Sequence, residues 1–102
     1  MNKVIRDGFV AVLYSPGYGA GWYTWHNIPE LLYDPTIVEM IEQDRLNEIE
    51  AYCLQQWPNM IYVGDVEDLR ISWIKEGRVF LIEEYDGNES IRFREDIDWQ
   101  VA

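Results

Sequence analysis

The residues best suited to chemistry lie in one stretch, Tyr14–Asn27, which holds three of the seven glycines, five of the fifteen aromatic side chains and the only histidine. Aromatic rings separated by bare glycine backbone suit stacking on a planar ligand or packing against a partner protein. The alternative is that the glycines form tight turns and the rings fill the core of a small domain. With two arginines near the C-terminus, the candidate ligand- or partner-binding residues are Tyr14, Tyr18, Gly19, Trp22, Tyr23, Trp25, His26, Arg92 and Arg94.

The glycines of this stretch do not form a known phosphate-binding motif. Gly17–Gly21 matches neither the dinucleotide fingerprint nor the P-loop, which needs a following Lys and Ser or Thr. No Lys or Arg occurs between Arg6 and Arg45, so a bound phosphate would depend on backbone N–H groups or on distant arginines. If a nucleotide binds, the best placed phosphate ligands are Arg70, Arg78, Arg92 and Arg94. The alternative is that these arginines pair with acidic residues on neighbouring strands.

His26 and Cys53 are the other side chains with possible catalytic or metal-binding chemistry. As a general base, His26 would need a nucleophile and an orienting group. Ser15, Thr24 and Asp34 are available, but no motif links them to it. One histidine and one cysteine cannot complete a zinc site, and Cys53 falls on an apolar helical stripe, which is typical of a buried thiol. We therefore expect no cofactor, and a binding protein more readily than an enzyme.

Length and composition predict one domain, residues 1–102 of a 102-residue chain. No apolar run approaches the roughly 20 residues that span a membrane. The segment Met1–Gly8 lacks the apolar core and the cleavage site of a signal peptide. A single cysteine fits a reducing compartment. Together these features predict a cytoplasmic protein.

The net charge of −11 is large for this length, and it is uneven because Asp7 is the only acid among the first 28 residues. Binding to phosphate backbones requires basic residues, so no direct contact with nucleic acid is expected. Repulsion likewise argues against an anionic membrane surface. The partners that the charge favours are a protein with a basic surface and a second copy of this chain, a homodimer formed through the less charged face.

The candidate stretch must be positioned by the elements around it, and the first of these is a hairpin. Asp7-Gly8 is a preferred type I′ turn between Lys3–Arg6 and Phe9–Tyr14. The second arm is apolar on both faces, which predicts a strand covered on both sides. Proline and glycine then predict a loop over Ser15–Trp22, and Tyr23–His26 is expected to be a short strand or irregular.

A helical segment follows the loop. Asp34 is a preferred N-cap, and Pro35 suits the first helical position, where its missing N–H costs nothing. Two apolar stripes run along the segment but are out of phase across Glu42–Arg45. This pattern leaves open one straight helix, a kinked helix, or two helices with Asp44 as a second N-cap.

The C-terminal half carries strand signals, with alternating apolar residues and a second hairpin turn at Asp86-Gly87-Asn88. We predict an α+β fold in which the central helical segment packs on a mostly antiparallel, five- to six-stranded sheet. The N-terminal hairpin and the C-terminal strands would share that sheet. The strands expected after the helices are residues 60–63, 69–74, 78–85, 90–94 and 99–101.

Three segments, Lys3–Gly8, Ser15–Trp22 and Glu84–Ile91, carry a resemblance that covers most of the chain. Their combination resembles small hypothetical proteins from bacteriophages, prophages and plasmids. The resemblance supplies no catalytic residues. It implies inhibition of host defence, either by coating a host protein or by sequestering a signalling nucleotide.

We therefore predict a non-enzymatic, acidic protein that acts by protein–protein contact, as a phage-type inhibitor of a host protein with a basic surface. The alternative is a small-ligand binder that sequesters a nucleotide. Exposure of Tyr18, Trp22 and Trp25 would distinguish a contact surface from a part of the core.

Overall fold

The computed structural model describes residues 2–17, 21–60, 63 and 66–94. They form the predicted α+β fold. No helix in these ranges is long and apolar enough to cross a membrane. Single 3₁₀ turns cover Pro29–Leu32 and Leu46–Glu48. The strands and helices in chain order are β1 (Ile5–Arg6), β2 (Phe9–Tyr14), α1 (Tyr23–His26), α2 (Pro35–Glu42), α3 (Ile49–Gln56), β3 (Arg70–Lys75), β4 (Phe80–Tyr85) and β5 (Asn88–Phe93).

Both predicted Asp-Gly hairpin turns are confirmed. Asp7 and Gly8 have φ angles of 51° and 81°, and Asp86 and Gly87 have φ angles of 53° and 87°. Positive φ at both central residues is typical of a type I′ turn, whose twist matches that of the paired strands. As a result β1 pairs with β2, and β4 pairs with β5, as antiparallel neighbours.

Strand β2 is buried on both faces, as its sequence predicts. Ala11 and Leu13 pack in one core with side chains of α2 and α3. Val10 and Val12 pack in a second core with Ile74 of β3 and with the β4–β5 hairpin. Because side chains alternate along a strand, β2 supplies both cores. The molecule therefore has three layers: the helices, the sheet that contains β2, and the β4–β5 hairpin.

The prediction of a single five- to six-stranded sheet is wrong for the described residues. One sheet has the order β1-β2-β3, and β4 and β5 form a separate two-stranded sheet. The hairpin lies on the face of β2 because the apolar side chains of the hairpin can then be removed from water. Residues 61–62 and 99–101, which belong to two other predicted strands, lie outside the described residues. The hairpin side chains that pack against β2 are Phe80, Ile82, Ile91 and Phe93.

The helical segment breaks into two helices at Asp44. Helix α2 starts as predicted, with the side chain of Asp34 capping its first turn. It ends where Asp44 adopts a φ of 56°. Arg45 N–H donates to the carbonyl of Met40 at 2.7 Å, and Asp44 N–H donates to that of Ile41 at 3.1 Å. These two bonds form a Schellman motif, so Asp44 terminates α2 and does not cap the next helix.

Residues 23–26 form a single α-helical turn, whereas the sequence predicts a short strand or irregular chain. The turn ends at Asn27, which has a φ of 54° and donates its N–H to the carbonyl of Tyr23 at 2.7 Å. Aromatic and β-branched residues favour strands locally. Here tertiary hydrogen bonds override that preference, because the backbone N–H groups of Trp22 and Thr24 donate to the carboxylate of Glu89 in β5.

Arg6 connects the sheet to the helix layer. Its guanidinium donates two hydrogen bonds to the carboxylate of Glu42 in α2, at 2.5 and 2.8 Å. The same guanidinium lies 5.1 Å from the ring centroid of Trp73 on β3. The hydrogen bonds from Arg6 hold the pKa of Glu42 below its ordinary value. The contact is exposed, so it orients α2 more than it stabilises the fold.

We expect Cys53 to be unreactive in the native protein. Its side chain is fully buried in the helical core, and burial raises the pKa of its thiol to about 12. Almost no thiolate, the reactive form, is then present. A thiol reagent at about pH 8 should label the urea-unfolded chain rapidly and the native chain only as it unfolds. Equal labelling rates in the two states would contradict this burial.

Candidate functional site

A buried carboxylate, Glu89 of β5, holds the predicted binding stretch in place. Glu89 is 1% exposed and lies on the same face of β5 as Ile91, which packs in the second core. Its two oxygens accept four hydrogen bonds from described residues, and all four donors are neutral. The donors are Ser15 N–H to Oε1 (2.9 Å), and Trp22 N–H (3.1 Å), Thr24 N–H (2.9 Å) and the Thr24 hydroxyl (2.7 Å) to Oε2.

These contacts fix both ends of the glycine-rich loop. The backbone N–H of Glu89 also donates to the carbonyl of Ser15 at 2.7 Å, so the start of the loop is held twice. At the other end, the carboxylate accepts hydrogen bonds from Trp22, just before α1, and from Thr24 within α1. Hydrogen bonds to a charged acceptor are roughly twice as strong as neutral ones, and burial strengthens them further. The loop ends and α1 therefore take their positions from the β4–β5 hairpin.

Trp22 belongs to the core, whereas Trp25 lies at the surface. The side chain of Trp22 is 0% exposed, and its indole N–H donates to the carbonyl of Leu31 at 2.8 Å. Trp25 is 50% exposed. The start of α1 thus directs one indole into the helical core and the next one outward. The sequence left open whether the rings of this stretch form a contact surface or part of the core. In the structure Trp22 is in the core and Trp25 is at the surface.

Two glycines of the loop lie close against neighbouring side chains. A Cβ at Gly17 would collide with the carboxylate of Asp68, and a Cβ at Gly21 would lie 2.6 Å from Cδ1 of Trp25. Two carbon atoms 2.6 Å apart are well inside their usual separation of roughly 3.5–4.0 Å, so they repel each other. These glycines make room for neighbouring side chains, which supports the alternative that they are structural.

Trp25 lines a cleft between α1 and the end of α3, which we name the aromatic cleft. Its volume is about 500 Å³, within the usual range for small-ligand sites. Its lining in the described part of the chain is aromatic and apolar, with polar groups from a histidine and two amides. The lining residues are Trp25, His26, Ile28, Gln56, Trp57, Pro58, Asn59 and Met60.

His26 has a structural contact in this cleft. Its Nε2 lies 3.0 Å from the carbonyl oxygen of Val63. A carbonyl only accepts hydrogen bonds, so Nε2 carries the proton that is donated to it. Two of the groups that could have formed a catalytic arrangement with His26 are used elsewhere. The Thr24 hydroxyl donates to Glu89, and the Asp34 carboxylate caps α2.

The other candidate residues that the structure describes do not line the aromatic cleft. Tyr14 is half-buried at the end of β2, and Tyr23 is half-buried against both cores. Arg92 is exposed and donates to Glu83 across the hairpin at 3.0 Å. The sequence left two roles open for Arg92, a phosphate ligand or a partner of an acid on a neighbouring strand, and this ion pair corresponds to the second. The remaining candidates are Arg94, which is exposed, and Tyr18 and Gly19, which lie outside the described residues.

Two residues at this site were not among the candidates from the sequence. Trp57 follows the apolar stripe of α3, which favours the core, yet it is half-buried and lines the cleft, edge-on to Tyr52 with ring centroids 6.2 Å apart. Glu89 precedes Ile91 and Phe93 at two-residue spacing. A carboxylate in register with an apolar stripe indicates burial, and this signal would have identified Glu89.

Neither metal ligands nor known relatives assign an activity to this site. The described residues hold no group of three or more His, Cys, Asp or Glu that could bind a metal ion. Comparison with models of protein families, with curated proteins and with solved structures finds no match for this chain. The functional argument therefore depends on the geometry and charge of the molecule itself.

We expect Glu89→Gln to destabilise the fold by about 1–3 kcal/mol, because the amide keeps the shape but turns one acceptor oxygen into a donor that faces buried donors. Urea unfolding measures this change as a lower midpoint. Glu83→Gln on the same hairpin is the matched control, since Glu83 is exposed and its substitution should leave the midpoint nearly unchanged. Equal midpoints for the two variants would contradict the role of Glu89.

Proposed function

We propose that this chain is a non-enzymatic binding protein that receives a side chain of a basic partner protein in the aromatic cleft. The observation that carries the proposal is that the half-exposed Trp25 lines a cleft of about 500 Å³ in a chain of net charge −11. The indole supplies contact area, and the charge selects the partner.

Trp25 has the properties of a binding hot spot. Tryptophan is enriched among the few interface residues that carry most of the binding energy. Trp25 sits on a helical turn whose first residues are fixed by Glu89. A side chain on a fixed support loses less conformational entropy on binding, so more of its contact energy appears as affinity.

The chemistry of the cleft favours a lysine or arginine side chain as the occupant. Such a side chain has an apolar stem and a cationic head, and the head is attracted to the face of an indole. Gln56 and Asn59 offer amide carbonyls at the cleft to accept its hydrogen bonds. A nucleotide is a poorer occupant, because the described lining provides no lysine or arginine for its phosphate.

The acidic surface would act at longer range than the cleft. Complementary charge raises the rate of association and disfavours acidic competitors, and salt screens it over roughly 8 Å at physiological ionic strength. A protein that occupies the basic surface of another protein blocks whatever that surface normally binds. This blocking action, together with the resemblance to small phage proteins, supports a host defence protein as the target.

Trp25→Ala tests the proposal, with Tyr85→Ala as the matched control. Tyr85 is an aromatic residue that is 78% exposed and lies outside the cleft. Immobilised wild-type chain and the two variants would be incubated with bacterial lysate at low salt, and retained proteins would be identified and then titrated in purified form. We expect a basic protein to bind wild type and Tyr85→Ala, and Trp25→Ala to bind it at least about tenfold more weakly.

Two further results bear on the same proposal. Raising the salt concentration should weaken the association mainly by slowing it. Circular dichroism should show that both variants are folded, since both side chains are substantially exposed. Binding that is insensitive to salt, or equally weakened in both variants, would count against the aromatic cleft as the contact site.

A further inference from the structure

Strand β3 forms an outer edge of the first sheet, because within the described residues it pairs on one side only, with β2. Ala11 N–H donates to the carbonyl of Val4 at 2.9 Å, and Glu76 N–H donates to that of Gly8 at 2.8 Å. These two bonds fix the alternation of the ladder, in which every second residue of β3 directs its backbone N–H and C=O away from β2. The outward-directed residues of β3 are Ile71, Trp73 and Lys75.

Most of the backbone groups on this edge are open. In the described part of the chain no hydrogen bond uses the N–H groups of Ile71, Trp73 and Lys75, or the carbonyls of Ile71 and Trp73. The carbonyl of Lys75 accepts the N–H of Arg78 at 3.0 Å, which closes the turn after β3. A row of open donors and acceptors is a template for pairing with another strand. The side chains along the edge then determine which strand fits.

Opposite charges lie at the two ends of β3. Arg70 begins the strand, and Glu76 follows its last residue. Both side chains are exposed, and alternation places both on the same face of the sheet. Neither forms an ion pair with another described residue. When two identical strands pair antiparallel, the start of one lies beside the end of the other. A second copy of β3 therefore brings Glu76 opposite Arg70 at both ends of the contact.

Trp73 lies midway between these charges, on the other face of the sheet. It is 38% exposed, and the guanidinium of Arg6 lies 5.1 Å from its ring centroid. A two-fold axis at Trp73 would place the two indoles opposite each other, with Cβ atoms about 5.5 Å apart. Contact between aromatic rings adds to the area that the strands bury. In this register residues 70–76 are all paired, and a shift of two residues in either direction loses both ion pairs.

We propose that two copies of this chain pair through the outer edges of their β3 strands, antiparallel and centred on Trp73. The contact is isologous, because each copy supplies the same residues, and it joins two three-stranded sheets into one of six strands. Residues 70–76 carry two cations, Arg70 and Lys75, and one acid, Glu76, a net of +1. They offer no attraction to a basic strand, whereas a second copy supplies the complement of each end.

This contact is separate from the proposed function. None of the described residues that line the aromatic cleft lies on β3. Formation of the dimer therefore leaves the lining of the aromatic cleft unchanged, and either proposal can fail alone.

Sedimentation equilibrium with charge-exchanged variants tests the dimer. We expect the wild type to be dimeric at about 100 μM. Arg70→Glu places two glutamates opposite each other at both ends and should weaken the dimer at least about tenfold. Arg70→Glu combined with Glu76→Arg exchanges the charges and should restore the affinity to within about threefold of wild type. Arg94→Glu is the matched control, because it changes the net charge equally at an exposed position outside β3, and it should weaken the dimer less than about threefold.

Cysteine cross-linking tests the register. Arg70 and Glu76 of the second copy would form a non-hydrogen-bonded pair, whose Cα atoms lie about 4.5 Å apart, within disulfide range. Equivalent residues of the two copies would lie six positions, or about 20 Å, apart. We expect a mixture of the Arg70→Cys chain and the Glu76→Cys chain to form the mixed disulfide at least about tenfold faster than either chain cross-links alone. The native Cys53 does not compete, because it is fully buried.

Four results would overturn the proposal. The first is a wild type that is monomeric at about 100 μM. The second is a charge-exchanged double variant as weak as Arg70→Glu, and the third is equal weakening by Arg70→Glu and Arg94→Glu. The fourth is cross-linking of a single variant with itself as fast as in the mixture. Circular dichroism should show that all variants are folded, because the substituted side chains are exposed.

Discussion

The arrangement of this protein depends on how the buried carboxylate of Glu89 is satisfied. A charged group removed from water costs several kcal/mol unless it is paired or fully hydrogen-bonded. The described donors to Glu89 are three backbone N–H groups and one hydroxyl, all from residues 15–24. The loop ends must converge on one point to supply them. In return, backbone donors that would otherwise be buried without a partner gain an acceptor. The loop ends therefore satisfy the buried carboxylate, and the carboxylate in turn holds the loop ends in place.

This constraint also accounts for the layered fold. For Glu89 to reach the loop at the end of β2, the β4–β5 hairpin must lie across the face of the first sheet. The hairpin then covers Val10 and Val12, while the helices cover Ala11 and Leu13. A strand that is apolar on both faces requires two covering layers. The double burial of β2 and the polar contact of Glu89 thus favour the same arrangement, a consistency that is typical of well-specified folds.

Local signals predicted local structure, and tertiary contacts decided the rest. The two Asp-Gly turns and the Asp34 cap follow from φ preferences and capping within a few residues. The single helical turn at 23–26 could not be predicted in this way, because its support comes from Glu89, more than 60 residues away. The β4–β5 hairpin could pair with the edge of the first sheet or pack on its face. Alternation of apolar residues is compatible with both, so it does not predict two separate sheets. Of the candidate binding residues, Trp25 and His26 meet in one cleft, whereas Trp22 is taken by the core.

Three of the arginines are placed beside glutamates in the described part of the chain. In a chain of net charge −11, self-repulsion is reduced when each cation is placed beside an acid. Arg6, Arg45 and Arg92 follow this pattern, each bonded to a glutamate. Because these ion pairs are exposed to solvent, they reduce repulsion within the acidic surface more than they stabilise the fold.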